Sequence, residues 1–203
     1  MTATMTKNGE PAVELDAATL PSAYLLTWKD WRKLPEREGC YYEILGGELY
    51  MSGSPTTLHE RVSENLMFVI EAYLRRTGLG ELFNSRTAVR LSPRDVVQPD
   101  ILVVLAEHAA LIGEEKIEGA PDLVVEVLSP GTARRDLGVK RALYERGGVG
   151  EYWIFDPIGE QVQVYVLVDE AFRSGGSFGR HDLLHSALLP GLEIALDEVF
   201  PKR

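Results

Sequence analysis

Two stretches of this chain are so uniformly apolar that they leave little choice of architecture. Val97-Gln98-Pro99-Asp100-Ile101-Leu102-Val103-Val104 and Leu123-Val124-Val125-Glu126-Val127-Leu128 are dominated by Val, Leu and Ile. Such residues favour strands, and runs with so few breaks need cover on both faces. Strands over 98–105 and 122–129 therefore belong to a central sheet sandwiched between other layers. A third strand-like run, 81–91, precedes them. Each of the two apolar runs also carries a carboxylate where an aliphatic residue is wanted, Asp100 opening four aliphatics and Glu126 interrupting five.

The flanking segments supply the covering layers. Thr57-Leu58-His59-Glu60 has capping-box spacing, and Val62, Leu66, Val69, Ile70 and Tyr73 recur every three or four residues until Gly78, which predicts a long helix. A second helical pattern runs from Arg134 to Arg146 and closes on Gly147-Gly148. Thr27-Trp28-Lys29-Asp30 reads as a helix start, with Trp28, Trp31 and Leu34 on one face and Pro35 at the end. Residues 42–50 read as a hairpin turning at Gly46-Gly47, and strands at 151–155 and 161–166 join around Asp156-Pro157-Ile158-Gly159. The expected order is helix, three strands, helix, strand, an α/β (α+β) domain over 25–203 behind a loosely ordered arm over 1–24.

At 203 residues and 45% hydrophobic, the chain is long enough for one real core. It has no run of about 18 apolar residues and no secretory leader, so a cytoplasmic protein without a membrane partner is expected. Cys40 is the single cysteine, which rules out an internal disulfide and a cysteine-based zinc site. The net charge of −10 argues against non-specific coating of nucleic acid, because each phosphate contact needs a local cation.

Burying an unpaired carboxylate costs several kcal/mol, so Asp100 and Glu126 are expected to be paired, protonated or bound to a cation. Two hard oxygen donors from neighbouring strands suit magnesium, which is held by one or two carboxylates, water and substrate phosphate. Lys140 is placed to orient a water and to offset charge on a phosphate. Asp136, Lys140 and Tyr144 share one helical face by their four-residue spacing. The bland alternative is a pair of strand-end acids solvated or salt-bridged to Arg90 or Arg141.

Pro99-Asp100, Glu126 one strand later and a following lysine resemble the PD-(D/E)xK phosphodiesterase superfamily. More narrowly, Tyr42-Glu43-Ile44-Leu45-Gly46-Gly47-Glu48-Leu49, Val97-Gln98-Pro99-Asp100, Ala120-Pro121-Asp122-Leu123-Val124-Val125-Glu126-Val127-Leu128-Ser129-Pro130 and Glu151-Tyr152-Trp153-Ile154-Phe155-Asp156-Pro157 resemble the Uma family of restriction endonucleases over about 25–170. The resemblance implies a restriction-endonuclease-like core with a mixed β-sheet flanked by helices. It also implies hydrolysis of DNA with magnesium, or manganese in its place. Asp100, Glu126 and Lys140 would be catalytic, the two acids being the metal ligands. Glu43, His59 and Tyr144 would be accessory. The superfamily pattern puts its lysine two residues after the acid; here that residue is Leu128, and the resemblance implies that the lysine has moved to the next helix as Lys140.

Arg86, Arg90, Arg134, Arg135 and Arg141 lie near these motifs in sequence and could form a positive rim for DNA. Asp122 is either a rival ligand or a cap at the strand start. His181 and His185 lack a zinc-helix context, and the glycine-rich Ser174–Arg180 segment is expected to be a flexible hairpin loop rather than a phosphate cradle. Two other functions compete with a nuclease. One is a catalytically inactive nuclease fold that binds or assembles, for example as a homodimer through Trp28, Trp31 and the hairpin. The other is a metal-dependent hydrolase of small phosphoesters.

Overall fold

The computed structural model describes residues 25–35 and 39–202, so the expected N-terminal arm lies outside the described residues. The chain runs through α1 (Trp28–Trp31), β1 (Tyr41–Leu45), β2 (Glu48–Ser52), α2 (Thr57–Thr77), β3 (Gly80–Asn84), β4 (Val89–Ser92), β5 (Asp95–Val97), β6 (Ile101–Leu105), β7 (Ile117–Glu118) and β8 (Leu123–Val127). It continues through α3 (Ala133–Arg135), a π-turn (Asp136–Lys140), α4 (Arg141–Gly147), β9 (Glu151–Asp156), β10 (Gln161–Val168), β11 (Ala171–Gly179), β12 (Leu183–His185), β13 (Glu193–Ala195) and α5 (Leu196–Val199). A six-stranded mixed sheet in the order β11-β10-β9-β8-β6-β3 forms the centre, with β8 and β9 parallel and the other pairs antiparallel. A five-stranded sheet, β2-β1-β5-β4-β7, packs beside it. No described helix is long and apolar enough to cross a membrane.

The apolar runs are sandwiched as their composition demands. Ile101, Val103, Leu123, Val125 and Val127 pack with Val62, Leu66 and Ile70 of α2. Their alternates Leu102, Val104 and Val124 pack on the opposite face with Leu45, Val97 and Tyr144. Strand side chains alternate between faces, so Glu126 shares the second face with Val124, and Glu43 shares it with Leu45. Both acids therefore project into the layer between the two sheets.

Several boundaries differ from the sequence reading, for local reasons. The run 81–91 is two strands in different sheets, because Asn84 accepts from the backbone N–H of Arg86 at 3.2 Å and of Thr87 at 2.9 Å, closing a turn. The run 98–105 begins as a strand only at Ile101. Val97 ends β5 in the small sheet, and the chain crosses to the large sheet through Gln98-Pro99-Asp100, where proline cannot extend a ladder. The long helix is capped by Thr56 rather than Thr57, its side chain accepting from the N–H of His59 at 3.2 Å. At α1, Asp30 does reach back to the Thr27 N–H at 2.9 Å.

Residues 174–179 are not a flexible loop but part of β11. Gly175 and Gly176 sit at a bulge opposite Val164 and Tyr165, and a Cβ on Gly175 would approach the Val164 side chain to 2.7 Å. The glycines permit close approach there. Trp28 and Trp31 face inward against Tyr42, Ile44 and Val96, with the Trp31 ring N–H donating to the Tyr42 carbonyl at 2.7 Å, so they are not an assembly surface.

Candidate active site

Four elements converge at the edge of the interlayer. The β1 strand delivers Glu43, the crossover into β6 delivers Asp100, β8 delivers Glu126, and the π-turn delivers Asp136 and Lys140. Both ends of the π-turn, Asp136 and Lys140, are buried while Leu137 and Val139 between them are exposed. Tyr144 follows one turn later on the same face and is also buried. Wide turns of this type recur at functional sites.

The Lys140 ammonium is the hub. Its Nζ lies 2.8 Å from Glu126 Oε1, 2.9 Å from Glu43 Oε1 and 3.5 Å from Asp136 Oδ1. Tyr144 donates to Glu126 Oε1 at 2.7 Å, and the backbone N–H of Gln98 donates to Glu43 Oε1 at 3.0 Å. Glu126 Oε2 has no hydrogen-bond partner among the described residues. Desolvation drives the Glu126 carboxyl well above its usual 4.5; Lys140 opposes the rise, and the charges of Asp136, Asp100 and Glu43 add to it. Burial raises Asp136 for the same reason. Lys140 is displaced upward: burial opposes its charge, but three surrounding carboxylates outweigh that.

Asp100 stands at the mouth of this cluster and is held on one side only. Its Oδ2 accepts from the Val127 N–H at 2.7 Å and lies 3.1 Å from His59 Nε2, while Oδ1 has no hydrogen-bond partner among the described residues. Burial works against a charge on His59, yet the hydrogen bond and charge of Asp100, helped by Glu60, carry its pKa above the usual 6.5.

Asp100, Glu126, Glu43, His59, Asp136 and Lys140 all line one cavity of about 500 Å³. Five side-chain atoms among the described residues are buried without a hydrogen-bond partner: His59 Nδ1, Ser63 Oγ, Gln98 Oε1, Arg135 Nε and Asp136 Oδ1. Four of them belong to residues lining this cavity, and Ser63 lies one turn beyond His59 on α2. Unsatisfied polar atoms gathered in one place mark a site that awaits partners.

A family model described as "Putative restriction endonuclease", Uma2, matches residues 28–197. The chain belongs to the Uma2 family. It is also similar to a solved structure described as a putative nuclease belonging to DUF820 from Anabaena variabilis ATCC 29413, with a TM-score of 0.72 and 20% identity, covering 86% of this chain and 97% of that one. That likeness establishes the restriction-endonuclease-like fold. None of the curated proteins matches the chain.

Within this Uma2 chain the residues expected at the centre come together, and the basic rim is only partly assembled. Arg135 lines the cavity, exposed Arg134 precedes it, and exposed Arg86 follows the lining residue Ser85. Arg90 instead pairs with Glu118 at 2.6 Å, and Arg141 lies over the Tyr165 ring at 5.1 Å; neither meets Asp100 or Glu126, as the bland reading would have it. Asp122 is a cap, accepting from the Leu105 N–H and paired with His108, both at 2.7 Å. His185 is in a strand, and His181 pairs with Asp197. Leu128 packs against the interlayer core, so the usual lysine position is occupied by an apolar contact while Lys140 reaches the acid from the helix. Gln98 was not expected at the site; its place before Pro99-Asp100 was the available signal.

Among the described residues no group of three or more His, Cys, Asp or Glu side chains is arranged to hold a metal ion. The two-carboxylate set still fits a magnesium-type ion. Asp100 and Glu126 each have an oxygen without a donor among the described residues, and the cavity is lined by five carboxylates (Glu43, Glu60, Asp100, Glu126, Asp136) against two permanent cations (Lys140, Arg135). That excess of negative charge suits a divalent cation.

Proposed function

We propose that this chain is a divalent-metal-dependent endonuclease that hydrolyses DNA phosphodiester bonds. The observation carrying the proposal is that Asp100 and Glu126, from separate segments, line one cavity with one carboxylate oxygen each left without a hydrogen bond among the described residues. The family description supports the nuclease class.

Magnesium or manganese, when bound by Asp100 and Glu126, would polarise the phosphate and lower the pKa of a coordinated water. The chain's own residues do the positioning. His59 and the Val127 N–H fix Asp100 through Oδ2 and leave Oδ1 to the cavity. Lys140 and Tyr144 fix Glu126 through Oε1, and Lys140 offsets the charge of Glu43 and Asp136 so that these acids can sit together. Hydrolysis would add water across the P–O3′ bond: a P–O bond forms to the water oxygen as P–O3′ breaks, and one proton of the water passes to O3′, leaving a 5′-phosphate and a 3′-hydroxyl.

Supercoiled plasmid tests this with magnesium, manganese, calcium or chelator. Nicking is expected with magnesium or manganese, none in Asp100→Ala, and much less in Lys140→Ala with metal binding largely retained. Plasmid left intact across all metals and a pH series, while a small phosphodiester is hydrolysed, would replace this reading with a small-phosphoester hydrolase. DNA bound but never cut would identify an inactive binding protein.

A further inference from the structure

A phosphodiester entering this cavity meets five lining carboxylates, Glu43, Glu60, Asp100, Glu126 and Asp136, and two permanent cations, Lys140 and Arg135. In such a field the phosphate needs a cation with unused donors. Lys140 is already committed to carboxylates, because its Nζ donates to Glu126 at 2.8 Å and lies 2.9 Å from Glu43 and 3.5 Å from Asp136.

Arg135 is different. Its guanidinium has five N–H donors but makes one hydrogen bond among the described residues, from Nη2 to Ser52 Oγ at 2.6 Å. The nearest carboxylate oxygen, Glu43 Oε2, is 3.7 Å from Nη2, outside hydrogen-bond range. Its Nε is buried without a hydrogen-bond partner among the described residues, and the Tyr50 ring flanks the group at 5.5 Å. The side chain is 15% exposed and lines the cavity. A planar fork so sparsely engaged is matched by an oxyanion that accepts two parallel N–H bonds, and phosphate has that geometry.

We propose that Arg135, rather than Lys140, is the receptor for the DNA phosphate, engaging two of its oxygens through the unused N–H edge as the guanidinium turns from Ser52 into the cavity. The reading rests on the nuclease function above and adds a division of labour. Lys140 is spent on holding carboxylates, and Arg135 is the cation that touches substrate. Ser52 holds the fork until substrate arrives, and the Glu43 carboxylate, an ion-pair partner at 3.7 Å, takes none of its hydrogen bonds.

The test compares wild type, Arg135→Gln, Arg135→Lys and a charge-matched control, Arg173→Gln, which alters an exposed residue of β11. Binding of a fluorescein-labelled 20-base-pair duplex is followed by anisotropy with calcium over a salt series, alongside plasmid nicking and thermal unfolding. Arg135→Gln is expected to weaken binding about tenfold and to reduce the slope of log affinity against log salt by about one. Arg135→Lys, which keeps the charge and loses the fork, falls between it and wild type, and Arg173→Gln matches wild type. Wild-type affinity and slope in Arg135→Gln would overturn the proposal, whether or not its melting temperature falls. Wild type that cuts plasmid while Arg135→Gln binds normally defeats this inference alone; wild type that neither binds nor cuts DNA defeats the nuclease reading and this inference with it.

Discussion

Two glutamates are buried on neighbouring parallel strands of the large sheet, and they are treated in opposite ways. Glu151, at the start of β9, is saturated: Oε1 accepts from the Ala187 and Leu188 N–H groups at 2.6 and 3.0 Å, and Oε2 accepts from the Trp153 ring N–H at 2.8 Å and the Ser186 hydroxyl at 3.0 Å. Glu126, near the end of β8, receives both its donors, Lys140 and Tyr144, on Oε1 and lines a cavity. A buried acid with every oxygen filled by neutral donors is a structural tie. One with an open oxygen, a cationic neighbour and a pKa displaced upward by desolvation is poised for chemistry. The contrast separates a tie from a candidate reactive acid by the partners each one finds.

The sharpest way to break this comparison is to exchange its two halves. Glu126→Gln is expected to lower plasmid hydrolysis by about 10³-fold while the fold survives, as judged by circular dichroism. Glu151→Ala should do the reverse, removing the acceptor of the Trp153 ring N–H, the Ser186 hydroxyl and the Ala187 N–H while Leu188 keeps its bond to Ser186 Oγ, costing about 3 kcal/mol in denaturant unfolding and sparing activity per folded molecule. A large activity loss in soundly folded Glu151→Ala would collapse the distinction.

Lys140→Met comes next. It strands Glu43, Glu126 and Asp136 without their shared cation, a loss of about 3–5 kcal/mol at neutral pH. A carboxyl that holds its proton more tightly in the folded chain loses stability as the pH rises above its ordinary 4.5. The deficit should therefore shrink as the pH is lowered from 8 toward 5. Thermal melts across that range check it, and a deficit that widened on acidification would contradict the arrangement.

His59→Gln probes the other metal-ligand candidate. Because the His59 pKa is raised in the folded chain, its contribution with Asp100 is whole below 6.5 and is lost as the pH climbs through the raised value. Wild-type stability should carry that slope and the variant should lack it. The smallest effect is expected from Tyr144→Phe, which removes one of two donors to Glu126 Oε1. A cost of about 1 kcal/mol, with a several-fold fall in hydrolysis, would match a shared load; no change in either would assign the orientation of Glu126 to Lys140 alone.

Much of the frame was legible in advance. The hairpin at Gly46-Gly47, the helix ending at Gly78 and the strands at 123–127 and 151–156 follow from patterns of a few residues, and the carboxylates at 100 and 126 stood out against aliphatic neighbours. The errors were also local. Asn84 closes a turn that a strand-like composition hid, Thr56 displaced Thr57 as the cap, and Gly175-Gly176 signified close packing at a bulge instead of a loop. Charge reading fared less evenly, since of five arginines near in sequence only Arg135 lines the cavity, while Arg90 pairs with Glu118 and Arg141 lies over Tyr165.

Periodicity and residue type alone determined the sandwiched strands, the covering helices and the conflict posed by two acids in apolar runs, because each depends on neighbours a few positions apart. Which acid would be a tie and which would open to a cavity depended on register between strands and on the reach of Lys140 across the interlayer. Only the tertiary structure decided that, since a side chain's partners are set by elements brought together from distant parts of the chain.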